Sequence, residues 1–325
     1  MALSKAQMAK LQEINNDPVK WAQTFLVGYD KTLKKDTPWT ARWYQAQMLR
    51  DTSRKKVYRC GRRTGKSECM VIEALYNACR RRNFRVLLIT PYENQIQLLF
   101  QRLSELRASS PLLNARVVSA TKNPYRIEFD NGSLIMGFTT GASSGSSGAS
   151  IRGQAADLLI LDECDYMADG DFDSVLMIAA ERSDIRVIMS STPTGKRGNF
   201  YNACTNKDAG YTEHYHPSTH NPGWNDAMEA EMRAMLSEEG YIHEVLAEFG
   251  SQEKGVFNKE KLDKAIHMLD YAYNPLDYYQ QARCKESNKW PLELFYDINN
   301  TAPKNIFRTM GVDWDKNLII YCPVL

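Results

Sequence analysis

CGRRTGKS, residues 60–67, is the stretch on which the reading of this chain turns. It follows a short strand candidate, Lys56 to Cys60, and it opens Ser67 to Arg82, which reads as a helix. A loop in that setting points successive backbone N–H groups at an anion, and the helix N-terminus adds a positive partial charge. Lys66 is then expected to reach the β- and γ-phosphates of a nucleotide, and the Ser67 hydroxyl to hold Mg²⁺. Gly61, Arg62, Arg63, Thr64 and Gly65 complete the cradle, with Arg62 the arginine expected to face the nucleotide. The usual pattern opens on glycine. Cys60 stands there instead, with Gly61 one residue later, so the loop is expected to turn differently while Gly65-Lys66-Ser67 stays intact.

The partner motif lies about a hundred residues downstream. LLILDE, residues 158–163, is four apolar residues followed by two carboxylates. Side-by-side carboxylates at the end of a buried strand are costly without a cation. Asp162 is expected to bind through Mg²⁺ and Glu163 to polarise the attacking water. By itself such a pair also fits a strand-end Asp capping the next helix. Beyond the next strand, SSTPTGKRGNFY, residues 190–201, offers the hydroxyls of Ser190, Ser191 and Thr192 to a γ-phosphate or water, although taken alone that segment reads better as a plain Ser/Thr/Pro turn. Upstream, WTARWYQAQML, residues 39–49, brings an aromatic and Gln45 near the adenine side; the alternative is a helix face with Trp43 and Ala46 in the core.

RVLLIT (85–90), DLLIL (157–161) and Ile185 to Met189 are short, nearly continuous apolar runs. Alternating with helical stretches such as Asn94 to Arg107, they predict a mostly parallel sheet covered on both faces. Arg116 to Ala120, Arg126 to Asp130 and Ser133 to Phe138 read as strands, the last two joined at Asn131-Gly132. The fold class is therefore α/β. RVLLIT lies between the two motifs in sequence, and with a Glu beside the metal Asp this fits the additional-strand, catalytic-glutamate division of P-loop NTPases. Residues 1–55 read as a mostly helical segment, 56–249 as the core, 250–305 as a connecting subdomain and 306–325 as a last strand-bearing piece. Residues 139–150 are Gly/Ser-rich.

Of the 325 residues, 43% are hydrophobic and 25% charged, an ordinary globular balance. A net charge of only +2 means that any nucleic-acid contact must come from local patches. RRRNFR (80–85), Lys31 to Lys35 and Arg54 to Lys56 are such patches, although runs of this kind are usually solvated faces. No apolar run approaches the roughly 20 residues of a membrane helix, and the N-terminus lacks a secretory apolar core. Seven cysteines without a CxxC read as reduced thiols in a cytoplasmic protein. EHYHPSTH, residues 213–220, reads as a polar loop in preference to a zinc site.

Together these motifs resemble the large subunit of tailed-bacteriophage terminases, over nearly the whole chain. WYQ resembles that family's adenine motif, with Tyr44 and Gln45 at the matching positions; CGRRTGKS resembles its deviant phosphate loop, and SSTP its coupling motif. SIRGQAADLLILDE resembles its Arg-Gly element and acidic motif, which makes Arg152 the match to an arginine that reaches a neighbouring subunit's ATP. The resemblance implies ATP hydrolysis that drives double-stranded DNA into a procapsid in the host cytoplasm. It also implies ATP and Mg²⁺ as cofactors, and a homo-oligomeric ring, a pentamer, docked on the portal protein and served by a small terminase subunit. It further implies a ribonuclease-H-like nuclease domain, whose first strand GVDWD (311–315) resembles, with Asp313 as first metal ligand. One strand cannot hold two metals, so nuclease activity is not expected of this chain alone. Two other readings remain open at this point. One is a superfamily 2 type helicase, which DECD (162–165) and Gln45 also suit but whose second lobe is not found after Thr192. The other is a non-catalytic nucleotide-binding adaptor in capsid assembly.

Overall fold

Buried strands of Val, Ile and Leu need cover on both faces, and the chain supplies it. The computed structural model describes residues 4–30, 34–140, 151, 153–250, 308–312 and 319–323. The chain divides into two compact units, Met1–Glu253 and Lys254–Leu325. The first opens with α1 (Lys5–Asn16), α2 (Pro18–Phe25), the strands β1 (Val27–Asp30) and β2 (Lys35–Pro38), and α3 (Trp43–Arg50). Then come β3 (Lys55–Cys60), α4 (Lys66–Arg80), β4 (Arg85–Thr90), α5 (Glu93–Ala108), α6 (Pro111–Ala115), β5 (Val117–Lys122), β6 (Tyr125–Phe129) and β7 (Leu134–Thr139). After these follow β8 (Leu158–Asp162), α7 (Asp169–Leu176), β9 (Arg186–Ser191), α8 (Asn199–Thr205), β10 (Thr212–His216), α9 (Asp226–Met235) and α10 (Glu238–Glu244). In the second unit β11 (Arg308–Val312) pairs antiparallel with β12 (Ile319–Pro323).

Eight of the described strands form one sheet in the order β10-β3-β9-β8-β4-β7-β6-β5. From β10 to β7 every pairing is parallel; β6 and β5 extend the edge antiparallel. Alternate strand residues serve opposite faces. Leu158, Ile160 and Ile188 join α2–α5 in one core, while Leu159, Leu161, Val187 and Met189 join α7 and α8 in another. The expected elements are present with ends shifted by a residue or two. The N-terminal segment, expected to be mostly helical, also contains the β1–β2 ribbon, and its helices pack on the core of the same unit. No helix of the described residues is long and apolar enough to cross a membrane.

One polar contact ties strand to helix inside the first core. Lys56 on β3 pairs with Glu73 on α4, their side chains 0% and 2% exposed, and the Lys56 ammonium also donates to Met48 O at 2.9 Å. Replacing one member strands the other charge in a dry interior. Glu73→Leu is therefore expected to cost about 3–5 kcal/mol, read as a fall in Tm of about 6 °C or more for a unit of this size. An unchanged melt would show that the pair contributes nothing net.

Candidate active site

The phosphate loop occupies the carboxyl end of β3, and at its two glycines the neighbours leave no room for a side chain. A Cβ on Gly61 would lie 2.5 Å from both Ser218 Oγ and Val245 O, so the glycine one place after Cys60 is demanded by packing. Gly65 has φ +85°, a left-handed conformation natural to glycine, and its Cβ would meet Gln45 Nε2 at 2.5 Å. Arg63 is also left-handed, at φ 60°.

The loop carbonyls are drawn outward by a ring of donors. Arg42 donates to Arg63 O and Thr64 O, each at 3.1 Å. The Tyr44 hydroxyl donates to Thr64 O at 2.9 Å, Ser218 Oγ to Arg62 O at 2.8 Å and Asn221 Nδ2 to Arg63 O at 3.3 Å. Gly61 N donates to His216 O at 3.0 Å and Arg62 N to Glu244 O at 2.9 Å. With the carbonyls engaged outside, the inner N–H groups are left to face an anion.

The strand order then brings the separated motifs together. β9 lies between β3 and β8, so SSTP sits between the phosphate loop and LLILDE. Asp162 pairs in register with Ser190. The Lys66 ammonium donates to Thr192 Oγ1 at 2.9 Å and lies 3.1 Å from Glu163 Oε1. Ser67 Oγ donates to Asp162 Oδ2 at 3.4 Å, and Ser191 Oγ to Glu163 Oε2 at 3.3 Å. Glu163 holds a strained left-handed backbone, φ 50°, with its N–H on Asp162 Oδ1 at 3.0 Å.

Charge is concentrated here. Burial, then the Glu163 charge beside it, push the Asp162 carboxyl up to about 6. Burial works against the Lys66 cation, but Glu163 and Asp162 outweigh it and hold Lys66 above the ordinary lysine value. A hydroxyl, two crowded carboxylates and a lysine at the mouth of a glycine-containing loop fit a triphosphate with a divalent cation. Ser67 and Asp162 are the residues that would hold Mg²⁺.

Several expected placements need correction. The Arg62 guanidinium is held by the Glu244 carboxylate through two bonds, one of 3.0 Å, because α10 presents that carboxylate beside the loop. Tyr44 is fully buried, stacked on His216 at 5.0 Å, so its ring has no face left for a base. Gln45, 2% exposed, accepts from Arg42 N at 3.0 Å and donates to Gly65 O at 3.4 Å; its amide braces the loop. The exposed aromatic of that segment is Trp43, 54% accessible, so it is not the core residue of the helix-face alternative. EHYHPSTH is no loop throughout: its first residues, up to His216, lie in β10, parallel to β3. Arg152 and Asp313 lie outside the described residues, as do 141–150 and 251–307.

Residues 57–264 match the model of the N-terminal part of T4likevirus-type terminase large subunits, which is more than half of the chain. The chain belongs to the terminase large-subunit family. Large terminases are ATPases of bacteriophage DNA packaging. The fold is similar to that of the Thermus phage P74-26 large terminase ATPase domain, at 19% identity over 65% of this chain and 94% of that one, with TM-score 0.55. A mutant of that domain gives 18%, 65%, 95% and 0.56. The HK97 bacteriophage large terminase is similar at 12% identity over 81% of this chain and 54% of that one, with TM-score 0.53. A search of curated proteins finds no match.

The structure brings Lys66, Ser67, Asp162 and Glu163 together. Reading by motif missed the donors around the loop. Arg42 lies inside WTARWYQ, where no local pattern marks it as a loop donor; Ser218 and Asn221 carry no signal, since only folding brings them over 150 residues back to the loop.

His216 makes a pH test of this surround. It is 5% exposed, its Nδ1 lies 3.3 Å from His220 Nδ1, and burial, then His220 and His214, depress its pKa to about 4. The folded state thus prefers the neutral ring, and the unfolded chain binds the extra proton first. Stability is expected to be full above about pH 6.5 and to fall as pH drops toward 4. In His216→Asn the fall in Tm across that window should shrink; an identical fall would remove His216 as its source.

Proposed function

We propose that this chain hydrolyses ATP to drive double-stranded DNA into a procapsid, as the ATPase of a packaging motor. The observation that carries this reading is the Lys66 ammonium bridging Glu163 Oε1 at 3.1 Å and Thr192 Oγ1 at 2.9 Å, beside Ser67 and Asp162. Lys66 and the inner amides of the loop neutralise the β- and γ-phosphates. Ser67 and Asp162 would hold Mg²⁺, which would supply further positive charge against the phosphate oxygens. An arriving γ-phosphate competes with Glu163 for the Lys66 ammonium and frees the carboxylate. Glu163 then orients a water and takes its proton as the oxygen attacks the γ-phosphorus and the bond to ADP breaks. Thr192, sharing Lys66 with the phosphate, registers whether the phosphate is present and passes that along β9.

A ring of subunits on a portal, in the host cytoplasm, with Arg152 serving the neighbour's ATP and a small terminase subunit assisting, completes the proposal. The test is Mg²⁺-dependent ATP turnover by the full chain, with and without duplex DNA, over a range of protein concentrations. Turnover per chain that rises with concentration and with DNA is the expected result. ATP binding without hydrolysis under every condition would favour the adaptor, and strand separation would favour the helicase.

A further inference from the structure

The amino edge of the parallel strands carries charge that the nucleotide site does not use. α4 runs back from the phosphate loop for 15 residues, about 22 Å at the helical rise. It ends in Arg80, followed by Arg81 and Arg82, all exposed. Two cavities meet at Arg80. One, of about 330 Å³, is lined by Arg50, Arg80, Arg81 and Arg186 with the carboxylates of Asp17, Asp51 and Glu73. The other, of about 400 Å³, is lined by Arg80, Arg82 and Arg116 with Trp21 and Leu112.

Some of these cations have structural work. Arg50 pairs with Asp17 at 2.9 Å. Arg116 pairs with Asp130 at 3.0 Å and donates to Cys79 O at 2.7 Å, closing the end of α4. Arg186 lies 3.7 Å from Glu73, which already holds Lys56, and its buried Nε has no hydrogen-bond partner among the described residues. Arg80 donates to Asn15 O at 2.7 Å and to the Tyr76 hydroxyl at 2.9 Å; Arg81 lies over the Phe84 ring at 4.8 Å. Among the described residues no carboxylate reaches ion-pair distance of Arg80, Arg81 or Arg82. Burial, then Arg186 and Arg80, hold Arg81 below the usual arginine value, as expected where like charges crowd.

A line of guanidinium groups in excess of carboxylate suits a ligand with repeating negative charge, and their forked donors match phosphate oxygens. Single strands are usually held by exposed aromatics on which bases stack. Trp21 and Tyr76, the rings beside Arg80, are 3% and 7% exposed and offer no such platform. We propose that the arginine-lined groove at the end of α4 binds the phosphodiester backbone of duplex nucleic acid, at the edge of the sheet remote from ATP. Its choice of partner rests on the packaging reading; its geometry does not involve the nucleotide site.

The test uses the full chain without nucleotide and a fluorescent duplex of about 30 base pairs, with binding followed by anisotropy as salt is varied. Each phosphate contact contributes about 0.9 to the slope of log affinity against log salt. Arg81→Gln with Arg82→Gln is expected to flatten that slope by about 1.8 and to weaken binding about tenfold or more near 50 mM salt. Arg81→Lys with Arg82→Lys should retain most of the slope, and DNA-free ATP turnover should be unchanged in both. Equal slopes in wild type and the glutamine variant would overturn the proposal. So would tighter binding of single strands, or displacement of the duplex by inorganic phosphate at matched ionic strength, which would mark a single-anion cup. Because no readout here requires hydrolysis, failure of this site and failure of the ATPase reading are distinguishable.

Discussion

Glu163→Gln is expected to leave ATP bound and to lower turnover by about 10²–10⁴-fold, the range that a positioned general base contributes. The amide keeps the size of the carboxylate and can still accept from Ser191, which donates to Glu163 Oε2 at 3.3 Å. It cannot take the proton from water. Losing that negative charge also releases Lys66 from its 3.1 Å ion pair, so nucleotide affinity should hold or rise. Fluorescent-nucleotide titration beside steady-state phosphate release separates the two effects. Turnover close to wild type would remove Glu163 from the chemistry.

Lys66→Ala is expected to fail in a different way, with turnover lost and ATP binding weakened as well. A hydrogen bond from a charged group to phosphate is worth about 1.5–3 kcal/mol, so affinity should fall about 10–100-fold from that contact alone. The same substitution leaves Asp162, 5% exposed, and Glu163 crowded together without the lysine charge that now offsets them. Lys66 is one of the groups that hold the Asp162 carboxyl down, so without it that carboxyl rises further; the variant is expected to lose stability as pH rises from about 4, where an unfolded aspartate ionises, and to level off only once Asp162 has ionised in the folded state. Binding and turnover at wild-type level would mean that the loop holds no phosphate.

Some of the surround was legible locally and some was not. Gly61 could be read as a displaced loop glycine, but its reason, the Ser218 and Val245 backbone against it, is invisible in CGRRTGKS. Arg62 lies within the motif, which points it at a nucleotide; the partner it has here is Glu244, 182 residues away, which no local pattern reveals. Tyr44 and Gln45 matched the adenine motif by type and position, yet their hydrogen bonds go to the loop backbone. Residue type announces what a side chain can bond to, and it takes the packed neighbours to say which partner wins.

The α/β class and the motifs of the candidate site were legible in the chain alone: a strand, a glycine-containing loop with Lys66 and Ser67, and an apolar run ending in Asp162 and Glu163. These are contiguous patterns, governed by hydrophobic period and local backbone geometry. Only the tertiary structure decided that β9 enters between β3 and β8, whereas RVLLIT, which lies between the motifs in sequence, pairs on the far side of β8. That order sets Ser191 and Thr192 against Glu163 and Lys66. Strand order depends on which apolar faces bury each other across long separations, a choice that several equally apolar strands leave open until the whole core is assembled.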